Sequence, residues 1–245
     1  MKKRESMFFA GMFLLSLAVI LTGCGGGGDS STTSSTATAT ISGTVTDSGT
    51  DAPLSGIVVE ARNPSDDSVL DSATTAADGT YSVAVPANQD FYLHATGKTI
   101  GSTTYVSDNK QIENVEANQT LSFWLIDTVT VDTIVGHLSI DKTNDAIFAM
   151  GVVDSNDSSI AGVTVSSVPS VPNIWYHLTN DSFSKTGPTV DKADEPSIIG
   201  NVVSPGSNST YTFTLKPDQA TKGYTIDTTF KLRLIPGEIS EPIEP

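Results

Sequence analysis

The residues able to do chemistry in this chain are few and scattered. One cysteine, Cys24, stands directly behind Leu21-Thr22-Gly23, and the three histidines are His94, His137 and His177. No two histidines share an HExxH-type spacing, so none reads as a metal ligand. Neither a GxSxG nucleophile turn nor a P-loop occurs, and no GxGxxG string stands between a strand pattern and a helix as a dinucleotide fingerprint would. Asp154, Asn156 and Asp157 supply part of an oxygen-rich calcium loop. The glycine of its sharp turn and its distal glutamate are missing, so the segment reads as a solvated Asx-rich turn. Carboxylates are plentiful, yet none is paired by spacing. The expectation is therefore no catalytic residue, no metal and no cofactor, in a chain that is not an enzyme. Two indoles remain as candidate ligand-stacking groups, Trp124 and Trp175. An indole on a sheet face can cover the apolar face of a sugar ring while its N–H finds a polar partner. Equally, strand tryptophans pack, Trp124 against a second module and Trp175 over neighbouring loops.

The surroundings of Cys24 have a definite order. Lys2, Lys3 and Arg4 precede an uncharged, mostly apolar run over residues 7–21, and small residues follow. That is the order of a secretory leader, and the run is too short for a comfortable membrane span. Leu21-Thr22-Gly23-Cys24 resembles the lipobox of bacterial lipoproteins. The resemblance implies cleavage before Cys24, a diacylglyceryl group on its thiol and palmitate-type acylation of the new N-terminus. Residues 1–23 would be the signal peptide and the membrane the first partner. Gly25, rather than an aspartate, follows the cysteine, which by the same resemblance points to the outer membrane rather than the inner one. Residues 24–39 are Gly, Ser, Thr, Ala and Asp after the cysteine, up to Ala39. They bury nothing and read as a flexible tether.

Charge and composition narrow the remainder. The formal net charge is −15. Removing Lys2, Lys3, Arg4 and Glu5 makes the rest two units more acidic. No basic patch follows residue 5, which argues against nucleic acid as a partner. Once Cys24 is consumed, no intrachain disulfide is possible, so the fold rests on apolar burial. Thr, Ser, Val, Asp and Gly dominate, and long Leu/Glu/Lys/Ala stretches are absent. That favours an all-β chain.

Period-two patterns begin at Thr40. Ile41, Gly43 and Val45 alternate with Ser42, Thr44 and Thr46. Further runs at residues 57–62, 69–74, 81–85, 91–95, 103–106 and 121–126 make about seven short strands separated by Gly, Asp, Asn and Pro. Gly43-Thr44-Val45-Thr46-Asp47, Pro53-Leu54-Ser55-Gly56-Ile57-Val58-Val59 and Asp78-Gly79-Thr80-Tyr81-Ser82-Val83 resemble the carboxypeptidase regulatory-like domains. These are transthyretin-like β-sandwiches, close to starch-binding-like folds. The resemblance covers residues 40–127. It implies a sandwich that folds alone, with Gly56 and Gly79 in tight turns and Tyr81 inserted in the core.

A second, diverged copy is expected over residues 145–237. Gly151-Val152-Val153-Asp154-Ser155 and Ile160-Ala161-Gly162-Val163-Thr164-Val165 echo the first pieces. Ser209-Thr210-Tyr211-Thr212-Phe213-Thr214-Leu215 echoes the tyrosine strand. The step from Gly162 to Tyr211 is longer than that from Gly56 to Tyr81, so residues 169–205 should loop out as an insertion. Residues 128–144 would be a connector with a strand near residues 134–140, and residues 238–245 an unstructured tail. The fold class is thus all-β, two tandem transthyretin-like or Ig-like sandwich modules after a signal peptide and tether. The matching function is a lipid-anchored envelope protein in a structural, binding or adhesion role, meeting envelope or extracellular proteins. A carbohydrate-binding lipoprotein, with glycans as partners, is the alternative. An enzyme with its site in the second module is the remaining reading.

Overall fold

The computed structural model describes residues 37–151, 162–177, 183–185, 197–202, 209–217 and 228–242. It is all-β apart from one helix. The first module contributes β1 (Thr38–Asp47), β2 (Val58–Arg62), β3 (Val69–Thr74), β4 (Thr80–Pro86), β5 (Asp90–Ala95) and β6 (Thr99–Ile100). After these come β7 (Thr103–Thr104), β8 (Asp108–Lys110), β9 (Glu113–Asn114), β10 (Gln119–Thr120) and β11 (Phe123–Leu125). Helix α1 (Thr128–Gly136) leads to β12 (Ala146–Gly151), β13 (Val163–Val168), β14 (Asn173–His177) and β15 (Phe183–Ser184). The chain closes with β16 (Ser197–Val202), β17 (Ser209–Pro217), β18 (Thr228–Leu234) and β19 (Ile239–Glu241).

One ten-stranded sheet runs through both modules, in the order β15-β14-β16-β12-β19-β8-β5-β2-β3, with β9 beside β5. Residues opposite one another across a ladder share a face. Val59, Ala95, Asp108, Ile239 and Ile147 form one such row, and Glu60, His94, Asn109, Ser240 and Phe148 the next. Along the first row's face, the β2–β5 half meets β1 and β4, and their side chains make the first core. On that same face the β12–β16 half is covered by α1, through Val131, Val135, Ile147, Ile199 and Trp175. The opposite face of the second half packs on the antiparallel sheet β13-β17-β18, where Phe148, Ile198, Phe213 and Leu232 are buried. The second half of the large sheet is therefore covered on both sides. This explains its unbroken apolar run Ala146-Ile147-Phe148-Ala149-Met150, a pattern of doubly buried strands.

Particular residues set these elements. Gly56 and Gly162 both hold positive φ, +75° and +74°, in the turns that begin β2 and the strand β13. Tyr81 is buried and its hydroxyl donates to the Leu121 carbonyl at 2.5 Å. Asp127 caps α1 by accepting from the Val129 and Thr130 amides, both at 2.9 Å. Its carboxyl lies below the usual range because the Thr130 hydroxyl and these amides stabilise the anion.

Four expectations need correction. Residues 128–136 are helical, with no strand near residues 134–140. Val131, Val135 and Leu138 recur at helical spacing, but the Val/Thr-rich sequence hides them. Residues 169–205 do not simply loop out, because β14 and β16 are inner strands of the large sheet. The second module is not a topological copy of the first. β13 and β17 are hydrogen-bonded neighbours, whereas their supposed counterparts β2 and β4 lie in different sheets. Last, residues 239–241 of the expected tail form β19, at the centre of the large sheet. Residues 1–36, and with them Cys24, lie outside the described residues, as do Asp154, Asn156 and Asp157.

Two substitutions test this packing. Phe213 is fully buried against Phe148, with ring centroids 4.7 Å apart. Phe213→Ala should cost about 3–5 kcal/mol in denaturant unfolding. Gly200 lies opposite Phe148, and a Cβ there would come within 2.2 Å of that ring. Gly200→Ala should cost about 1–3 kcal/mol by overpacking, and Phe148→Leu in the same chain should recover part of it.

Candidate functional site: the polar seam around the last strand

The ionisable groups of the interior converge on β19. The chain turns at Pro236-Gly237, where Gly237 has φ +79°, and β19 then enters parallel to both β8 and β12. Its backbone pairs on both edges, and its alternating side chains fall on the two faces of the sheet.

Glu241 meets Lys110 on one face. The Lys110 ammonium is 2.8 Å from Glu241 Oε2 and 3.2 Å from Asp108 Oδ2. It also lies over the Phe123 ring, 5.1 Å from its centroid, which adds a cation–π contact. Burial and the Glu241 charge push the Asp108 carboxyl up, to about 7, although Lys110 opposes this. Lys110 itself is held firmly protonated, since the two carboxylates outweigh its desolvation.

Glu238 meets His94 and Asn109 on the other face. His94 Nε2 lies 3.3 Å from Glu238 Oε1, and Nδ1 lies 3.3 Å from Glu60 Oε2. Asn109 Nδ2 donates to Glu238 Oε2 at 2.7 Å, and Arg62 Nε donates to Glu60 Oε2 at 2.8 Å. Burial alone would raise the Glu238 carboxyl, but His94, Asn109 and Arg62 outweigh it and hold it below the usual range. Both imidazole nitrogens are thereby occupied by carboxylates. The ring ties β2 and β5 to the turn before β19.

A third contact joins the modules directly. Arg233 of β18 donates through Nε and Nη2 to the two oxygens of Asp67, each at 2.8 Å. This bidentate pair is the strong form of the guanidinium–carboxylate contact. Tyr92 donates to the same carboxylate at 3.0 Å, and burial with the adjacent Asp67 charge raises its phenol to about 12. The Ser240 hydroxyl donates to the Arg233 carbonyl at 2.7 Å, linking this pair to β19.

The residues singled out in the sequence lie elsewhere. Trp124 stands out from β11 with 37% of its surface exposed. Trp175 is 7% exposed, in the layer beneath α1, with the Lys185 ammonium 4.7 Å from its ring centroid. A sugar cannot stack on a ring so enclosed, and the two indoles sit in different layers. His137 is exposed at the end of α1, and His177 ends β14. Among the described residues, no three His, Cys, Asp or Glu side chains are grouped to hold a metal ion. The seam escaped the sequence because Asp108-Asn109-Lys110 has the composition of a loop. Arg233 gave no signal either, since Phe230-Lys231-Leu232-Arg233-Leu234 alternates apolar and cationic residues as a strand with one wet face would, yet Lys231 is exposed and Arg233 buried.

The seam makes stability depend on pH in a definite direction. Asp108 titrates near 7 when folded and near 3.8 when unfolded, so the folded state holds an extra proton between those values. Stability should fall as pH rises through that window. Glu238, lowered from 4.5, contributes stability that is lost as pH falls through its folded value. Asp108→Asn should flatten the loss seen in guanidinium midpoints between about pH 4 and about pH 7. An unchanged pH slope in this variant would mean that another group controls it. Arg233→Ala, which leaves Asp67 half-buried without its partner, should cost about 3–5 kcal/mol at neutral pH.

Comparison with known proteins agrees with the reading of the first module. Among curated proteins no sequence matches this chain. The matches among solved structures include the TIE protein of Bacillus anthracis, at 9% identity and TM-score 0.29, over 84% of this chain and 33% of that one. A streptococcal ancillary pilin matches at 10% identity and TM-score 0.29, over 87% of this chain and 64% of that one. The shaft pilin SpaA of Lactobacillus rhamnosus GG matches at 14% identity and TM-score 0.28, over 84% of this chain and 96% of that one. The chain thus spans a third of the first protein's length and under two thirds of the second's. Residues 40–122 match the carboxypeptidase regulatory-like domain family, about a third of the chain, and they run from within β1 through β10 of the first sandwich, ending just before β11.

Proposed function

We propose that this chain is a non-enzymatic cell-envelope protein, lipid-anchored at Cys24, that presents two joined β-sandwich modules in a structural or binding role. The observation that carries this reading is the use made of the buried charges. Lys110 with Glu241, His94 with Glu238, and Asp67 with Arg233 each hold β19, the turn before it or β18 to the first module. Groups that could have served catalysis instead join one module to the other, and such contacts favour a stiff junction. Rigidity of that kind suits a presenting surface, whose loops do the recognising. The lipobox-like Leu21-Thr22-Gly23-Cys24 and the Gly/Ser/Thr tether support attachment at the opposite end of the chain. The outer membrane is the proposed site, on the ground of Gly25 after Cys24. Envelope or extracellular proteins are the proposed partners. Of the two indoles, only Trp124 is open enough to stack on a glycan.

The anchor is tested by Cys24→Ser. Fractionation should show the protein released from membranes or held as an uncleaved precursor, because acyl chains contribute about 0.8 kcal/mol per buried CH₂. A processed Cys24→Ser protein that still partitions into the detergent phase would sink the proposal.

A further inference from the structure

A cavity of about 380 Å³ lies where the two modules, α1 and the turn before β19 meet. Its walls come from residues 97–107 of the first module, from Thr128 and Val131 of α1, from residues 142–147 and from Gly237. Junctions of this kind are preferred places for small-molecule sites, and the volume is in the usual range of about 300–1,000 Å³.

The lining runs against the character of the chain. There are 13 lysines and arginines against 28 acidic residues in the sequence. Yet two lysines, Lys98 and Lys142, line this one cavity, and no aspartate or glutamate does. Lys98 belongs to the first module and Lys142 to the segment between α1 and β12. The Lys98 ammonium donates to the Gly56 carbonyl at 2.8 Å, and no carboxylate among the described residues pairs with it. Lys142 pairs with Asp132, both side chains being nearly half exposed. The nearby carboxylates are committed elsewhere: Asp47 accepts from the Tyr105 hydroxyl at 2.6 Å, and Asp127 caps α1. Among the described residues, the hydroxyls of Thr128 and Thr143 have no hydrogen-bond partner. Val131 and Ile147 supply apolar wall.

We infer that this junction cavity binds a small, hydroxylated organic anion of monosaccharide size, with Lys98 and Lys142 meeting its charge and Thr128 and Thr143 its hydroxyls. The acidic group of the ligand is a carboxylate or a phosphate monoester. This inference does not depend on the lipid anchor, nor on Trp124.

The test is calorimetric titration of the full-length protein in detergent micelles with glucuronate, glucose 6-phosphate and glucose. Saturable one-to-one binding of at least one anion is expected, and which anion binds identifies the acidic group. Glucose should bind at least about a hundredfold more weakly or not at all, since it lacks the charge that both lysines meet. Lys98→Gln and Lys142→Gln should each weaken anion binding about tenfold. Should either variant melt early, Thr143→Val and the salt dependence of the parent decide. Raising NaCl to about 0.5 M should weaken the anion several-fold. The inference fails if neither anion saturates, if glucose binds as tightly, or if affinity survives both lysine substitutions or high salt.

Discussion

The fold depends on the insertion of β19 between β8 and β12. Three residues supply the backbone pairing for both neighbours, and without them the large sheet would part into two. The slot left behind would contain Asp108, Lys110, His94 and Asn109, all buried. Burying such groups without partners costs several kcal/mol for each ion. The strand is therefore held less by its own three residues than by the penalty of leaving its neighbours unpaired. For the same reason, the first module is not closed by residues 40–127 alone. Its β8 edge and the partner of Lys110 are completed from residues 239–241.

The ionic groups do more to define the register than to raise stability. Buried ion pairs gain little over apolar side chains of the same volume, but a mismatched one is costly. On β19, Glu238 and Ser240 face one way and Ile239 and Glu241 the other. A one-residue slip would turn Glu241 away from Lys110 and Glu238 away from His94. Parallel neighbours on both edges offer no hairpin to set the register, so the side chains must set it. Arg233–Asp67 adds a second check, from the three-stranded sheet to the β2–β3 turn, and Ser240 ties the two together.

Much of the first module was legible in the sequence, because its signals are local. Alternation over Ile41, Gly43 and Val45, the turn glycine Gly56 and the buried Tyr81 each act within a few residues or one ladder. The second module was legible only where a strand has one wet face, as in β13 and β17. Its doubly covered strands lack alternation, and β14 and β16 are interrupted by prolines and polar loops that read as an insertion. Helix α1 was hidden by β-branched residues, whose low helix propensity is overcome by burial of Val131 and Val135 under the sheet. The seam was least legible of all. Its contacts between modules join polar residues more than a hundred positions apart, Lys110 to Glu241, His94 to Glu238 and Asp67 to Arg233, so no window contains both halves of those pairs.

That separation also constrains how the molecule can reach its fold. The ladder from Asp108 to Ile239 closes a loop containing the whole second module. Closure entropy grows only slowly with loop length, so the distance itself is tolerable. The harder condition is order: β8 has no outer neighbour until β12, β16 and the last turn are placed. Until then Lys110 and Asp108 stay hydrated at an open edge, where their charges oppose pairing with a wrong strand. The same residues that fix β19 in the folded chain thus guard its slot beforehand, which is a physical reason for an ionic seam where an apolar one would bind more strands less selectively.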